Sequence, residues 1–114
     1  MAVRDTIFGK IIRREMPADI VYETDEILAF RDVSPQAPVH VLVIPKEPFA
    51  NINKVDDALL LGKLMQGCVA VAKSQGLIES GYRIVINSGV QAGQTVLHLH
   101  AHVLGGRQFE WPPG

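Results

Sequence analysis

A histidine-rich stretch near the C-terminus, residues 96–104, constrains the fold of this chain most strongly. Three histidines alternate there with apolar residues. Because successive side chains of a strand point to opposite faces, the alternation predicts a strand with histidines on one face and apolar residues on the other. The histidine face consists of His98, His100 and His102, and the apolar face of Leu99, Ala101 and Val103. One buried histidine is often a satisfied core residue, but three in register indicate a face that binds a ligand.

Composition limits the classes of protein to which this chain can belong. Its 114 residues predict one domain, residues 1–114, and a 47% hydrophobic content excludes a wholly disordered chain. A net charge of −1 gives no basic surplus for nucleic acid or an anionic membrane. The single cysteine, Cys68, cannot form an internal disulfide and is expected to be buried. Charges near Met1 precede any apolar run, so we expect no signal peptide, no membrane span and a cytoplasmic location.

Two helices are predicted. The first is short, with Asp5 and Thr6 as capping side chains ahead of Ile7 and with Pro17 preventing continuation beyond Met16. Its apolar stripe is either plain core packing or a wall of a ligand pocket; the stripe consists of Ile7, Phe8, Ile11 and Ile12.

The second predicted helix is the main one and runs from Asp57 to Gln75, with Asp56 as the N-cap and Gly76 at the C-terminal left-handed position. Gly62 and Gly67 inside it favour a close approach by another backbone. Its apolar surface is wider than a single sheet contact needs. It therefore predicts one surface for the sheet and a second one for another subunit.

Four further strands are predicted, which makes the fold class α+β. They are residues 20–23, 27–32, 39–45 and 82–87. The third is almost continuously apolar and is expected to be central, with His40 at its start. If this strand pairs with the histidine strand, His40 could orient another histidine. Asp32, at the end of the second strand, is either a turn former or a functional acid.

Two irregular segments flank the histidine stretch. The loop of residues 88–95 carries two glycines and ends in Thr95, and its backbone N–H groups and hydroxyl are suited to a phosphate. The tail of residues 105–114 carries the only tryptophan, Trp111. Disordered tails seldom carry large aromatic residues, so Trp111 either folds back on its own domain or docks on a partner chain.

Three histidines on one face admit two kinds of chemistry. Imidazole is a common zinc ligand, but residues i and i+4 of a strand lie roughly 13 Å apart, so His98 and His102 cannot easily share an ion with His100. A two-histidine site would need a further ligand, such as His40. The alternative is attack on phosphorus by a neutral imidazole whose other nitrogen is held as N–H, with neighbouring imidazoles binding phosphoryl oxygens or protonating the leaving group. We expect neither metal nor cofactor.

Residues 98–104, His-Leu-His-Ala-His-Val-Leu, resemble the signature of the histidine triad (HIT) superfamily. Further segments resemble its histidine triad nucleotide-binding protein (Hint) branch. They are residues 5–12, 30–38, 93–96 and 105–107, and the Trp-Pro-Pro-Gly ending at 111–114. These motifs are distributed from the start to the end of the chain, and the resemblance covers essentially all of it.

This resemblance implies a HIT-like fold with a five-stranded antiparallel sheet and two helices, joined in a homodimer into one ten-stranded sheet. It implies hydrolysis of purine nucleoside phosphoramidates to a nucleoside 5′-monophosphate and an amine. His100 would be the nucleophile of a nucleotidyl-histidine intermediate, supported by His98 and His40. The tail of residues 105–114 would dock at the dimer interface, with Trp111 reaching the partner's site and influencing the leaving group.

The resemblance also implies a nucleotide site. Asp32 would accept hydrogen bonds from the ribose hydroxyls. The residues expected around the α-phosphate are Asn87, Gly93, Gln94, Thr95 and His102. The residues expected to enclose the base are Ile7, Phe8, Ile11, Phe30, Val33 and Leu42.

Three positions bear on how far the resemblance reaches. Thr95 replaces a frequent serine, and Arg31 stands where histidine is common in eukaryotic relatives. His102, where the nucleotidyltransferase branch has glutamine, favours hydrolysis over transfer. Other hypotheses are a dinucleoside polyphosphate hydrolase, a nucleotide-binding scaffold dimer and a zinc-binding protein.

Overall fold

A five-stranded antiparallel sheet forms the centre of the computed structural model, which describes residues 5–114. The strands are β1 (Ile20–Glu23), β2 (Ile27–Arg31), β3 (Val39–Pro45), β4 (Tyr82–Ile86) and β5 (Ala101–Gly105). Their order across the sheet is β1-β2-β3-β5-β4. The predicted α+β fold is confirmed, whereas the expectation that Met1 begins no signal peptide falls on residues 1–4, outside the described part.

The apolar strand β3 lies at the centre of the sheet. It pairs with β2 on one side and β5 on the other, so that Leu42 lies opposite both Phe30 and His102. Both of its faces are covered, and Val41, Val43 and Ile44 are fully buried. The predicted central strand is confirmed, and so is its position beside the histidine strand.

Helix α1 (Ile7–Ile12) begins as predicted but ends earlier. The Thr6 hydroxyl accepts a hydrogen bond from the N–H of Gly9, which caps the first turn. The helix ends at Ile12, four residues before Met16, because Arg14 adopts a left-handed conformation with φ of 62°.

Helix α2 (Ala58–Ser74) is the long helix and follows a 3₁₀ turn at Ile52–Lys54. Its N-cap is Asp57, whose carboxylate accepts from the N–H groups of Leu59 and Leu60, so the prediction of Asp56 was wrong by one residue. Gly76 follows the helix with φ of +74°, as predicted for the position after a C-cap. In the described chain no helix has the length and apolarity needed to cross a membrane.

The two glycines of α2 differ. A Cβ on Gly67 would lie 3.1 Å from Ile27 and 3.2 Å from Val43, so the helix approaches the sheet closely there. Apart from Gly62, its chain neighbours and the nearby backbone of α2, no atom of residues 5–114 lies within 4 Å of such a Cβ on Gly62, so the predicted close approach is not present in the described chain. Cys68 is buried as predicted, and burial raises the pKa of its thiol to about 12.

The histidine stretch is a strand only in its second half. β5 begins at Ala101, and residues 96–100 precede it, so the predicted strand was wrong for that half. The register places Pro45, which has no N–H to donate, at the end of β3 where Leu99 would pair. The N–H of Leu99 donates instead to the carbonyl of Phe49. β2 and β4 each end one residue earlier than predicted.

Side chains of the histidine stretch still alternate between the two sides of the sheet. On one side of the sheet α2 covers an apolar cluster that includes Leu99, Ala101 and Val103. On the other side α1 covers a smaller cluster containing Phe8 and Phe30. The rings of His100 and His102 lie on this second side, where Phe8 contacts His100 with ring centroids 5.0 Å apart.

Candidate functional site

A cavity of about 590 Å³ lies on the α1 side of the sheet. All six residues predicted to enclose a base line it, and so do Asp32, Thr95, His100 and His102. Its walls are mostly apolar, and its polar groups are gathered at the histidines and at the β2 end. A cavity with mostly apolar walls and a few polar groups is typical of a site for a small organic ligand.

Hydrogen bonding fixes the orientation of the His100 ring. Its Nδ1 lies 2.7 Å from the carbonyl oxygen of His98, and since a carbonyl can only accept, Nδ1 carries the proton. Nε2 of neutral His100 therefore holds a lone pair. Because this ring lines the cavity, the lone pair is available to an electrophile bound there.

A second chain of hydrogen bonds sets the tautomer of His102. The backbone N–H of Gln36 donates to Nδ1 of His40 at 3.0 Å, so the proton of neutral His40 is on Nε2. That Nε2 lies 2.9 Å from Nδ1 of His102 and donates to it. His102 then carries its own proton on Nε2, a buried atom for which the described residues provide no partner.

Burial keeps these imidazoles neutral. It lowers the pKa of His40, His98 and His100 below the usual value, because the charged ring would lose its hydration. For His102 burial and the two neighbouring imidazoles lower the pKa to about 4. At neutral pH the site therefore pairs a lone pair on His100 with an N–H on His102, and the two ring centroids are 5.0 Å apart.

Asp32 forms the turn after β2, one of the two roles that the sequence left open, and its carboxylate also reaches the cavity. Its Oδ1 accepts from the N–H of Ser34 at 2.8 Å, which closes the turn after β2. Its Oδ2 lies 3.4 Å from Nε2 of His40, and the carboxylate lines the cavity. The side chain is mostly buried, so a carboxylate oxygen is held at the cavity wall by the turn.

His98 lies behind the cavity. It is fully buried, and its Nε2 donates to the carbonyl of Pro45 at 2.8 Å. Its own carbonyl accepts the proton of His100, so its backbone orients the reactive ring while its side chain joins β3 to the segment before β5.

The glycine loop contributes less to the cavity than expected. Only Thr95 of that loop lines it; Asn87, Gly93 and Gln94 are among the predicted site residues that do not. The Gln94 amide donates to the carbonyls of Ala50 and Val96 and accepts from the N–H of Gly89. The N–H groups of Gly93 and Gln94 also donate within the loop. The side chain of Gln94 thus fastens the loop.

The C-terminal tail packs partly against its own domain, but its tryptophan does not. Phe109 lies between the guanidinium groups of Arg83 and Arg107, at 5.1 and 4.2 Å from the ring centroid. Trp111 is 81% exposed and is absent from the residues that line the cavity. The structure therefore does not support the interpretation in which Trp111 folds back on its own domain.

Sequence reasoning missed part of the cavity wall. The segment between α1 and β1 lines it, together with Arg31 and Val96; the residues of that segment are Met16, Pro17, Ala18 and Asp19. Arg31 Nε pairs with Asp19 Oδ2 at 3.1 Å on this rim. The early end of α1 brings the segment to the cavity, and no sequence signal marked the left-handed residue that causes it.

Three possible metal-ligand atoms, from Asp32, His40 and His102, lie within 4.8 Å of one another. The arrangement does not fit a metal ion. A metal at Nε2 of His40 needs the lone pair on that atom, whereas the N–H of Gln36 needs it on Nδ1. A neutral imidazole has only one such lone pair, so metal binding would break the bond that holds this ring.

Comparison with known proteins agrees with this geometry. Residues 13–109 match the HIT domain family. An uncharacterized HIT-like protein of Synechococcus elongatus is 63% identical over 96% of this chain and 97% of its own length. A 14 kDa zinc-binding protein of Brassica juncea is 52% identical over 96% of this chain and all of its own.

Solved structures show the same fold. A HIT family hydrolase from Legionella pneumophila superposes with a TM-score of 0.93 at 48% identity, covering 96% of this chain and 100% of its own. A histidine triad nucleotide-binding protein from Candida albicans superposes with a TM-score of 0.84 at 31% identity, covering 95% and 83%.

Proposed function

Because this chain belongs to the HIT domain family, we propose that it hydrolyses purine nucleoside phosphoramidates, releasing a nucleoside 5′-monophosphate and an amine. The observation that carries the proposal is the pair of opposite tautomers at the cavity. His100 offers a lone pair at Nε2 and His102 offers an N–H. The relatives described as a hydrolase and as a nucleotide-binding protein support the substrate class.

In the first step Nε2 of His100 forms a bond to phosphorus and the P–N bond breaks. The leaving nitrogen takes a proton from solvent, because a neutral imidazole that gave up its one N–H proton would become an imidazolate anion. The N–H at Nε2 of His102 would instead donate a hydrogen bond to a phosphoryl oxygen and stabilise negative charge there, while positive charge develops on the phosphorylated His100 ring. The carbonyl of His98 still accepts the Nδ1 proton of His100 and stabilises the charged ring.

In the second step a water molecule attacks phosphorus as the bond to His100 breaks. That water gives up a proton to solvent, which replaces the proton taken in the first step, and both tautomers are unchanged. The sum is one phosphoramidate plus one water giving one monophosphate and one amine. Phosphoryl transfer needs mainly positioning and charge stabilisation, which imidazoles and N–H donors supply. Thr95 also lines the cavity, and its hydroxyl would bind a phosphoryl oxygen.

The nucleoside would lie across the sheet from β5 toward β2. Adjacent strands are about 4.8 Å apart, so the two spacings from β5 through β3 to β2 amount to about 10 Å. In this orientation the phosphate would lie at the histidines, the ribose hydroxyls at Asp32 and the base against the edge-to-face pair of Phe8 and Phe30. Asn87, Gly93 and Gln94 stay predictions for the phosphate end, as contacts that substrate binding would have to create.

We also propose a homodimer formed through β4 and one flank of α2. Of the two outer strands, β1 has a register shift between Ile20 and Tyr22, whereas β4 pairs regularly along all of its residues. A bulge protects an edge from further pairing, so β4 is the edge on which a second sheet can add.

The flanks of α2 support the same edge. Leu61, Met65 and Val69 are four residues apart and form one apolar stripe, and Val69 is 44% exposed. Lys63 lies on the opposite flank, where it pairs with Glu26 of the β1–β2 hairpin. The apolar flank therefore faces away from β1. In such a dimer the exposed Trp111 would be available to a partner's cavity, where it would influence the leaving group.

The dimer is tested by light scattering at micromolar concentration. We expect twice the chain mass for the unmodified protein and the monomer mass for Val69→Glu. Ile20→Glu, which is the matching change at the β1 edge, should leave the dimer intact. A monomeric unmodified protein, or equal effects of both substitutions, would refute the proposed interface.

The activity is tested by measuring AMP release from adenosine 5′-phosphoramidate in the presence of EDTA, with diadenosine polyphosphates as comparison substrates. We expect metal-independent turnover of the phosphoramidate that exceeds turnover of the polyphosphates. Preference for the polyphosphates would favour the second hydrolase hypothesis. Tight AMP binding without turnover of either would favour a nucleotide-binding scaffold.

The cytoplasmic location stays a prediction from the sequence.

A further inference from the structure

An arginine outside the cavity is hydrogen-bonded to the loop that orients the histidines. Nε of Arg107 donates to the carbonyl of Gln36 at 3.0 Å. Arg107 follows β5, and the contact is possible because Gly106 lies against Pro38, where a Cβ would come within 2.9 Å of the ring. The end of β5 is thus joined to the loop between β2 and β3.

That loop residue begins the chain of hydrogen bonds described above. Gln36 is held through its carbonyl by Arg107 and through its side chain, which donates to the carbonyl of Ser34 at 3.0 Å. Its N–H is thereby aimed at Nδ1 of His40. From Arg107 to Nε2 of His102 the path is continuous, and each link has a distance of 3.0 Å or less.

We propose that Arg107 is a positioning residue that fixes the tautomers of His40 and His102 by holding the Gln36 N–H in place. Without that N–H donor, Nδ1 of His40 can carry the proton itself in a fraction of the molecules, whereas Asp32 Oδ2, 3.4 Å from Nε2 of His40, favours the original tautomer in the rest. Where the exchange occurs, Nε2 of His40 accepts from Nδ1 of His102, and His102 loses the proton on its Nε2. The site would still contain every histidine, but Nε2 of His102 would be a hydrogen-bond acceptor instead of a donor.

Arg107 has other contacts, which a test must separate from this one. Its guanidinium stacks on Phe109 and its Nη1 donates to the carbonyl of Gln108 at 3.1 Å. Arg83 also stacks on Phe109, and it donates to the carbonyl of Glu110. Arg83→Ala is therefore a matched control, since it removes a tail contact while leaving the bond to Gln36 unchanged.

The tautomers can be read directly by two-bond ¹H–¹⁵N NMR of histidine-labelled protein, which shows which ring nitrogen is bare. In the unmodified protein and in Arg83→Ala we expect bare Nδ1 and protonated Nε2 on both His40 and His102. In Arg107→Ala we expect the protonated Nε2 of His102 to be lost in a substantial fraction of molecules. Arg107→Lys, which can keep one hydrogen bond to Gln36, should restore most of it.

The kinetic consequence rests on the proposed function, whereas the NMR result does not. We expect Arg107→Ala to lower kcat about two- to tenfold, which corresponds to loss of the Nε2 proton of His102 in about one half to nine tenths of the molecules. KM and AMP affinity should change less than threefold, since Arg107 does not line the cavity. If Arg107→Ala keeps both tautomers of the unmodified protein, the proposal is wrong, whatever the activity.

Discussion

The two faces of the sheet are covered very differently. On one face the 17 residues of α2 pack against an apolar cluster in which Ala29, Val41 and Val43 have no exposed surface. On the other face a helix of only 6 residues covers Phe30 and Leu42 and leaves the cavity beside them. The face that α2 covers completely, here called the closed face, contributes stability. The face that α1 covers only in part, here called the open face, leaves the cavity that we propose as the binding site.

The same strands serve both faces. Because side chains alternate, β5 places Ala101 and Val103 in the closed face and His102 in the open one. A change on one face should therefore affect stability with little effect on chemistry, and a change on the other should do the reverse. The predictions below test this separation.

The largest effect is expected on the open face, from His102→Ala. Removing the N–H donor should lower kcat for adenosine phosphoramidate by about 10²–10³-fold, the usual contribution of one positioned hydrogen-bond donor to developing negative charge. The free energy of unfolding should fall by only about 1 kcal/mol, because the substitution removes the single hydrogen bond that Nδ1 of His102 accepts from His40. A variant that unfolds but keeps its kcat per folded molecule would show that the faces are not separate.

Leu64→Ala should give the converse result on the closed face. Leu64 is 1% exposed, so truncating it should lower the free energy of unfolding by about 2–5 kcal/mol. Leu59, on the same helix, is 68% exposed, and Leu59→Ala should cost about 0.5 kcal/mol or less. Urea unfolding measures both values. Turnover per folded molecule should stay within about twofold in each, and a tenfold loss in Leu64→Ala would contradict the account.

Acid should lower the free energy of unfolding through His102 on the open face. Burial lowers the pKa of His102 to about 4, below the usual 6.5 of the unfolded chain, so the unfolded chain binds the proton more readily. The contribution of neutral His102 to the free energy of unfolding is fully present above pH 6.5 and is lost as the pH falls toward 4. The free energy of unfolding should therefore fall over that range, and less steeply in His102→Gln, which cannot titrate there. Equal slopes in the two proteins would refute the buried neutral imidazole.

A smaller effect is expected at Gly67, where α2 approaches the closed face. Alanine favours the helix by about 1 kcal/mol, but its methyl would lie 3.1 Å from Ile27 and 3.2 Å from Val43, so these two fully buried side chains would have to shift within a packed core. Overpacking typically costs about 1–3 kcal/mol, so Gly67→Ala should destabilise the protein by about 1 kcal/mol in urea unfolding. A stabilised variant would mean that the closed face is looser than the structure shows.

The closed face was largely predictable from the sequence. Alternation of apolar residues marks strands, and capping residues and Gly76 mark α2, because these signals depend on neighbours in sequence. The sequence also indicated that His40 could orient another histidine if β3 paired with β5. The register shows this pairing, and His40 is hydrogen-bonded to His102.

The open face was predictable only in part. The start of β5 at Ala101 depends on Pro45 of another strand, and the lining by Met16 and Asp19 depends on where α1 stops. The tautomers depend on the backbone N–H of Gln36, which any residue but proline would provide. Such features come from contacts distant in sequence or from the backbone, so the side-chain pattern does not encode them.

The central claim is that His100 attacks phosphorus and forms a covalent intermediate. It is tested most directly by the configuration at phosphorus after hydrolysis of a P-chiral, oxygen-isotope-labelled adenosine phosphoramidate in isotopically labelled water. Each in-line displacement inverts phosphorus, so two displacements predict net retention, with turnover abolished in His100→Ala. Net inversion, or sustained turnover by His100→Ala, would mean that water attacks directly and would contradict the account.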